Sequence, residues 1–233
     1  MPPRTNRLLD TFSPELHRTL FSLARPVELP RGSVLFTPGE APSGVYFLTS
    51  GVATMVVSVA DGSTAEVGVA GPDGVIGAVN LLGPQTAVAQ CFMQIQGHAL
   101  RIAMADARKL FAESEEFRTG ILEYVQTETL LTSQLAACNK LHQSTERLAR
   151  WLLTAADCTG SETLSLTQES LSQLLGTRRT TVALVAGEMQ RNGLLKYRRG
   201  MVQIANRDAL ASTACDCYSV TKRLLEGLYR SRA

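Results

Sequence analysis

The residues best equipped for chemistry lie between Gly176 and Arg207. That stretch holds Arg178, Arg179, Arg191, Lys196, Arg198, Arg199 and Arg207 against a single acid, Glu188. Just upstream, "LTQESLSQLLG" predicts a short helix, with Thr167 as its cap and Glu169 in its first turn. After a turn at Gly176 a second helix is expected over 178–192, with Thr177 as cap and Gly193 as stop. Val182, Val185 and Met189 recur at i, i+3 and i+7 and give it one apolar face to bury. Helix, glycine turn and helix make up helix-turn-helix spacing. Two arginines at a helix N-terminus oppose the macrodipole, at roughly 0.3–1 kcal/mol each, and so call for an anion. DNA phosphates supply one, and guanine edges supply acceptors for the same fork. Thr180 and Thr181 add hydroxyls and methyls at that end. "LLKYRRGMVQIA" reads as two short strands around a basic turn, which places Lys196, Arg198 and Arg199 on a wing along a phosphate backbone.

The other reactive side chains form no such constellation. Cys91, Cys138, Cys158, Cys215 and Cys217 are odd in number and scattered, which suits free thiols in a reducing compartment. Cys215-Asp216-Cys217 could bind metal or oxidise, but a lone C-x-C is a weak signal. His17, His98 and His142 are few and dispersed, so no metal site and no cofactor is expected. There is no G-x-S-x-G, H-E-x-x-H or P-loop, and no enzyme is expected. The competing reading is a standalone small-molecule or thiol redox sensor or enzyme, working through a pocket in the N-terminal half or through Cys215 and Cys217.

The elements that must position the basic cluster follow from charge and texture. Residues 1–143 carry 10 Lys+Arg and 13 Asp+Glu, whereas residues 144–233 carry 13 and 8, so a basic module is joined to a mildly acidic one. From Val27 to Ile102, glycine-rich turns separate short β-branched runs such as "GVYFLT" and "ATMVVSV", the texture of an all-β sandwich, barrel or jelly roll. The uncharged runs 41–60 and 74–100 are broken by Gly, Pro, Ser or Gln, and the N-terminus has no apolar signal core. A cytoplasmic chain with no membrane segment is expected. Phe117, Ile121, Tyr124, Glu128, Leu131, Leu135 and Cys138 then step by 4 and 3 along a long helix, with Glu128 as a flaw in the seam. Such a stripe is either core against the helix's own β domain or a dimer seam. Its position between a β domain and a basic module favours a dimer through Ile121, Tyr124, Leu131, Leu135 and Cys138. "STERLARWLLTAADCTG" is a further helix ending at Gly160, and the tail from Asp208 to Tyr229 reads as helical.

"LTQESLSQLLGTRRTTVALVAGEMQRNGLL", behind a β-rich domain and a long seam helix, resembles the cyclic-AMP receptor / fumarate-nitrate regulator (Crp/Fnr) superfamily. The resemblance implies an α+β chain: a cyclic-nucleotide-binding-like β-roll over 1–115, a dimerisation helix over 116–143 and a winged helix-turn-helix over 144–233. It implies a dimeric regulator that binds double-stranded promoter DNA and works with RNA polymerase. Arg179 falls on the family's base-reading arginine, and Arg178, Thr181 and Gln168 fall on positions that touch phosphates. Thr180 stands where many members carry Glu, so the operator cannot be borrowed. "GVIGAVNLLGPQTAVAQ" resembles the phosphate-binding cassette, placing Gly77, Ala78, Gln85 and Thr86 in an effector pocket, with Thr132 and Ser133 matching the pair that touches the base. Ala78 and Gln85 stand where nucleotide binders carry Glu and Arg. No Lys or Arg occurs from Gly74 to Leu100, so a buried phosphate would find no cation. Cyclic AMP is therefore not expected as an effector, and these residues name no other small molecule in its place.

Overall fold

The computed structural model describes residues 5–83, 86–198 and 200–230, which leaves Gln85 and Arg199 outside the described residues. Helix α1 (Pro14–Leu23) starts where Ser13 accepts a hydrogen bond from the Leu16 N–H and Pro14 presets the first turn. Eight strands follow: β1 (Arg25–Leu29), β2 (Val34–Phe36), β3 (Gly44–Leu48), β4 (Val52–Ser58), β5 (Thr64–Ala70), β6 (Val75–Ile76), β7 (Gln90–Ile95) and β8 (Gly97–Ala103). They form two antiparallel four-stranded sheets, ordered β1-β8-β3-β6 and β2-β7-β4-β5. Leu35, Phe36, Leu48, Ile76, Cys91 and Met93 share one buried cluster that draws on both sheets. The predicted β-roll is thus present, with its interior filled by side chains.

Helix α2 (Met104–Glu113) leads into α3 (Glu115–Leu141), a helix of 27 residues capped by Ser114 through the Phe117 N–H. The first turns of α3 are anchored in the β-roll. Phe117, Ile121 and Tyr124 join Leu16 and Leu20 of α1 and Val45 and Phe47 of β3 in one cluster. Helix α4 (Ser144–Thr159) runs to Gly160, whose φ of 65° ends it as expected. Then come β9 (Thr163–Ser165), α5 (Gln168–Leu175), α6 (Arg179–Arg191), β10 (Leu195–Arg198), β11 (Met201–Ile204), α7 (Arg207–Thr213) and α8 (Cys217–Arg230). A small sheet ordered β10-β11-β9 flanks the helices. Trp151, Leu152, Leu171, Leu174, Val182, Met189 and Val202 fill the core of this second half. The C-terminal tail is two helices rather than one. The break falls at Ala214, Cys215 and Asp216, where neither Gly nor Pro marks it.

The two halves meet across β5. The Thr64 hydroxyl donates to the Gln173 carbonyl at 3.2 Å. Gly176 sits over this contact with φ of 56°, and a Cβ there would come within 2.9 Å of the Thr64 carbonyl, so only glycine fits. Deeper in, the Glu66 carboxylate accepts from Trp151 Nε1 at 2.7 Å and from the Thr54 hydroxyl at 2.9 Å, and lies 3.7 Å from Arg150. Burial pushes the Glu66 carboxyl up, and Arg150, Trp151 and Thr54 pull it back.

Candidate nucleic-acid interface

Helices α5 and α6 begin differently. At α5 the Thr167 hydroxyl accepts from the Ser170 N–H at 3.1 Å, and Glu169 adds an acid to the first turn. At α6 the N-cap is Arg178 rather than the expected Thr177. Its side chain makes no capping hydrogen bond, and the first turn holds no acid. Neither an N-cap side chain nor a first-turn acid answers the positive end of that helix. Arg178, Arg179 and Thr180 are exposed around it, with Thr181 and Gln168 half-buried alongside. Val182, Val185 and Met189 are buried, as their spacing predicts, which fixes the opposite face outward. The helix runs 179–191, one residue shorter at each end than expected.

The outward face carries a residue that sequence reasoning missed. Leu184 is 74% exposed, one helical turn beyond Thr180. The signal was present, because Leu184 falls off the Val182–Val185–Met189 stripe. The β10–β11 hairpin is tied to this helix: the Tyr197 N–H donates to Gln190 Oε1 at 2.9 Å, and its hydroxyl donates to the Leu166 carbonyl at 3.0 Å. Lys196 and Arg198 are exposed on the hairpin, while Arg199 lies outside the described residues. Burial pushes the Tyr197 phenol up, while Arg31 from the β1–β2 turn and Arg179 pull it down.

The expected effector residues are not gathered in one place. Gly77 and Ala78 are buried at the start of a short 3₁₀ turn, and Thr86 is exposed. The Thr132 hydroxyl donates to the Val67 carbonyl at 3.2 Å, and the Ser133 hydroxyl to its own helix at Thr129. A cavity of about 70 Å³ between β5 and α3 is lined by Tyr124, Glu128, Leu131 and Thr132 but by neither Gly77 nor Ala78. Burial pushes the Glu128 carboxyl in it up to about 7, partly offset by the Tyr124 hydroxyl at 3.3 Å. A wider groove of about 620 Å³ lies between α4, α8 and the N-terminal segment, with Arg7, Asp73, Asp157 and Lys222 among its lining residues.

Two expectations change in the fold. Ile121, Tyr124, Leu135 and Cys138 are buried within one chain and Leu131 is half-buried, so the heptad stripe is core. The open face of α3 carries Leu122, Leu130 and Leu141 instead, at 45%, 49% and 75% exposure. His142 is not dispersed either. With Cys138, Cys215 and Cys217 it forms a group whose ligand atoms all lie within 4.8 Å of one another. The hydrogen bond with Cys215 lowers the Cys138 thiol; burial opposes it and Arg150 adds to it.

Comparison with known families settles the class. Residues 146–213 match the Crp-like helix-turn-helix domain, and residues 26–114 match the cyclic nucleotide-binding domain. The chain belongs to the Crp/Fnr family of transcription regulators. Three solved structures share the Crp/Fnr fold over most of their length. The c-di-GMP responsive global regulator CLP of Xanthomonas campestris is 20% identical, with 82% of this chain and 98% of that one covered and a TM-score of 0.67. FixK2 of Bradyrhizobium japonicum is 15% identical over 82% and 98%, with a TM-score of 0.69. A CRP-family transcriptional regulator of Thermus thermophilus is 18% identical over 81% and 96%, with a TM-score of 0.69. Likeness at these identities establishes the fold alone. Sequence comparison with curated proteins gives no match. Among the described residues of this Crp/Fnr chain, no helix is long and apolar enough to cross a membrane.

Proposed function

We propose that this Crp/Fnr regulator acts as a homodimer on double-stranded promoter DNA, with α6 in the major groove and the β10–β11 hairpin along the backbone. The observation that carries this reading is the uncapped, acid-free N-terminus of α6, flanked by exposed Arg178, Arg179 and Thr180. Arg179 reads a guanine through O6 and N7, and Leu184 meets a thymine methyl. Arg178, Thr181, Gln168, Lys196, Arg198 and Arg199 hold phosphates and fix the register. Residues 1–115 form the sensing part, 116–143 the dimerisation helix and 144–233 the DNA-binding part. The role is regulatory rather than enzymatic, and RNA polymerase is the machinery it addresses.

The dimer contact is assigned to the outward face of α3, through Leu122 and Leu130, because the inward stripe is occupied. Sedimentation tests this. The wild type should be a dimer at micromolar concentration, and Leu122→Lys with Leu130→Lys should give folded monomers. A double variant that stays dimeric removes that face from the account.

Cyclic AMP is a poor fit. The segment from Gly74 to Leu100 holds no cation, the roll interior is filled, and the cavity beneath α3 is well below the roughly 300–1,000 Å³ of ordinary ligand sites. Calorimetric titration should show no tight cyclic AMP binding. The DNA reading itself is tested by titrating a random-sequence duplex at several salt concentrations. The logarithm of the affinity should fall linearly with the logarithm of salt, by about 0.9 per phosphate neutralised. Absence of salt-dependent binding would sink the reading.

A further inference from the structure

The fold brings together four ligand-type side chains that are far apart in sequence. Cys138 is in the last turn of α3, and His142 is the residue that ends that helix. Cys215 lies in the break between α7 and α8, and Cys217 opens α8. Cys138, Cys215 and Cys217 are buried and form a cluster of their own. We propose that Cys138, His142, Cys215 and Cys217 bind one thiophilic divalent metal ion, zinc by ligand type, in a closed tetrahedral site that fastens α8 to the hinge between α3 and α4.

The spacing fits a single ion. Zinc–sulfur and zinc–nitrogen bonds of about 2.3 and 2.0 Å at tetrahedral angles set ligand atoms roughly 3.8 Å apart for two sulfurs and roughly 3.5 Å for sulfur and nitrogen. Cys138 Sγ and Cys215 Sγ are 3.6 Å apart, and Cys217 Sγ and His142 Nδ1 are 3.5 Å apart. With all four atoms within 4.8 Å, the site is too tight for a polynuclear iron–sulfur cluster, whose four protein ligands are spread over two or more irons. Four protein ligands fill the tetrahedron, so the site is structural and leaves no position for a reacting water.

The surroundings are those of a ligand set. With Nδ1 on the metal, His142 Nε2 carries the proton, and it faces Asp216 Oδ1 at 3.6 Å. A carboxylate behind a metal-binding histidine fixes its tautomer and orientation. Gln134 Nε2 donates to Cys217 Sγ at 3.1 Å. Three thiolates on one divalent ion leave a complex of net charge −1, which Arg147 and Arg150 stand close enough to balance. Asp216 thus explains the residue inside Cys-Asp-Cys: it orients the histidine that arrives from the hinge.

The test is metal analysis of the full chain purified without chelator or oxidant. About one zinc per chain is expected in the wild type and in Cys158→Ser, whose thiol lies outside the group. Cys215→Ser with Cys217→Ser should carry none. Asp216→Ala should still load, but with affinity lowered about 10- to 100-fold, as for loss of an orienting partner. Cobalt(II) added to metal-free wild type gives a readout that needs no variant to fold. Strong visible absorption of a tetrahedral thiolate complex is expected, with displacement by one equivalent of zinc. The proposal is overturned by wild-type protein that holds no metal and gives only the pale spectrum of six-coordinate cobalt. It is equally overturned by a Cys138–Cys215 disulfide in the freshly purified chain.

Discussion

The β-roll and the winged helix handle polar side chains in opposite ways. The roll turns them inward: Glu66, Thr54, Gln94 and Asn80 are buried. Glu128, on the face of α3 that lines the cavity against β5, likewise has its carboxyl pushed up by burial. The winged helix turns its cations outward at the start of α6 and on the hairpin, and buries an apolar stripe beneath them. An inward polar group costs stability unless it finds partners, whereas an outward cation awaits a partner from outside. Polar residues in the roll are thus read through stability, and those of the winged helix through binding.

The largest expected effect is at Glu66. Glu66→Ala leaves Arg150 and the Trp151 N–H without their buried acceptor, and should cost about 3–5 kcal/mol in urea unfolding. Glu66→Gln keeps an acceptor for Trp151 and should cost less. A loss below about 1 kcal/mol for the alanine variant would mean that the junction does not depend on this carboxylate.

Glu128 gives a smaller effect with a sign fixed by pH. Its carboxyl is raised from 4.5 to about 7 in the fold, so the native chain holds more protons than the unfolded one between those values. Wild-type stability from this group therefore falls as pH rises through that window, and the loss is complete above it. Glu128→Gln cannot ionise, so its Tm should exceed the wild type's at about pH 8 and the gap should close towards about pH 5. A gap that does not move with pH would contradict the burial of this charge.

What the sequence made legible follows the same division. The winged helix was readable because its signals are local: Thr167 as cap, Gly176 as turn and three apolar residues at helical spacing. Periodicity also found α3, but it cannot say what covers a stripe. Ile121 and Tyr124 are covered by the chain's own β-roll, α1 and α8, so the open face had to be found in the fold. The thiol group was hidden by distance, since Cys138 and Cys215 are 77 positions apart in the chain. The break that frees Cys215 carries no Gly or Pro. Strand β6, of two residues, is too short to show alternation.

At the winged helix, Leu184→Ala should weaken binding modestly and only where a thymine faces it, by less than the ~1–3 kcal/mol of a bidentate arginine contact. The most direct test of the central claim compares Arg179→Ala with Arg198→Ala on a duplex selected from a random library and on a scrambled duplex, across a range of salt. Arg179→Ala should cost ~1–3 kcal/mol on the selected duplex, relax preference at one base pair, and cost less on the scrambled one. Arg198→Ala should weaken both about equally and make the salt slope shallower by ~1. The account is contradicted if Arg179→Ala weakens both duplexes equally while Arg198→Ala affects only the selected one.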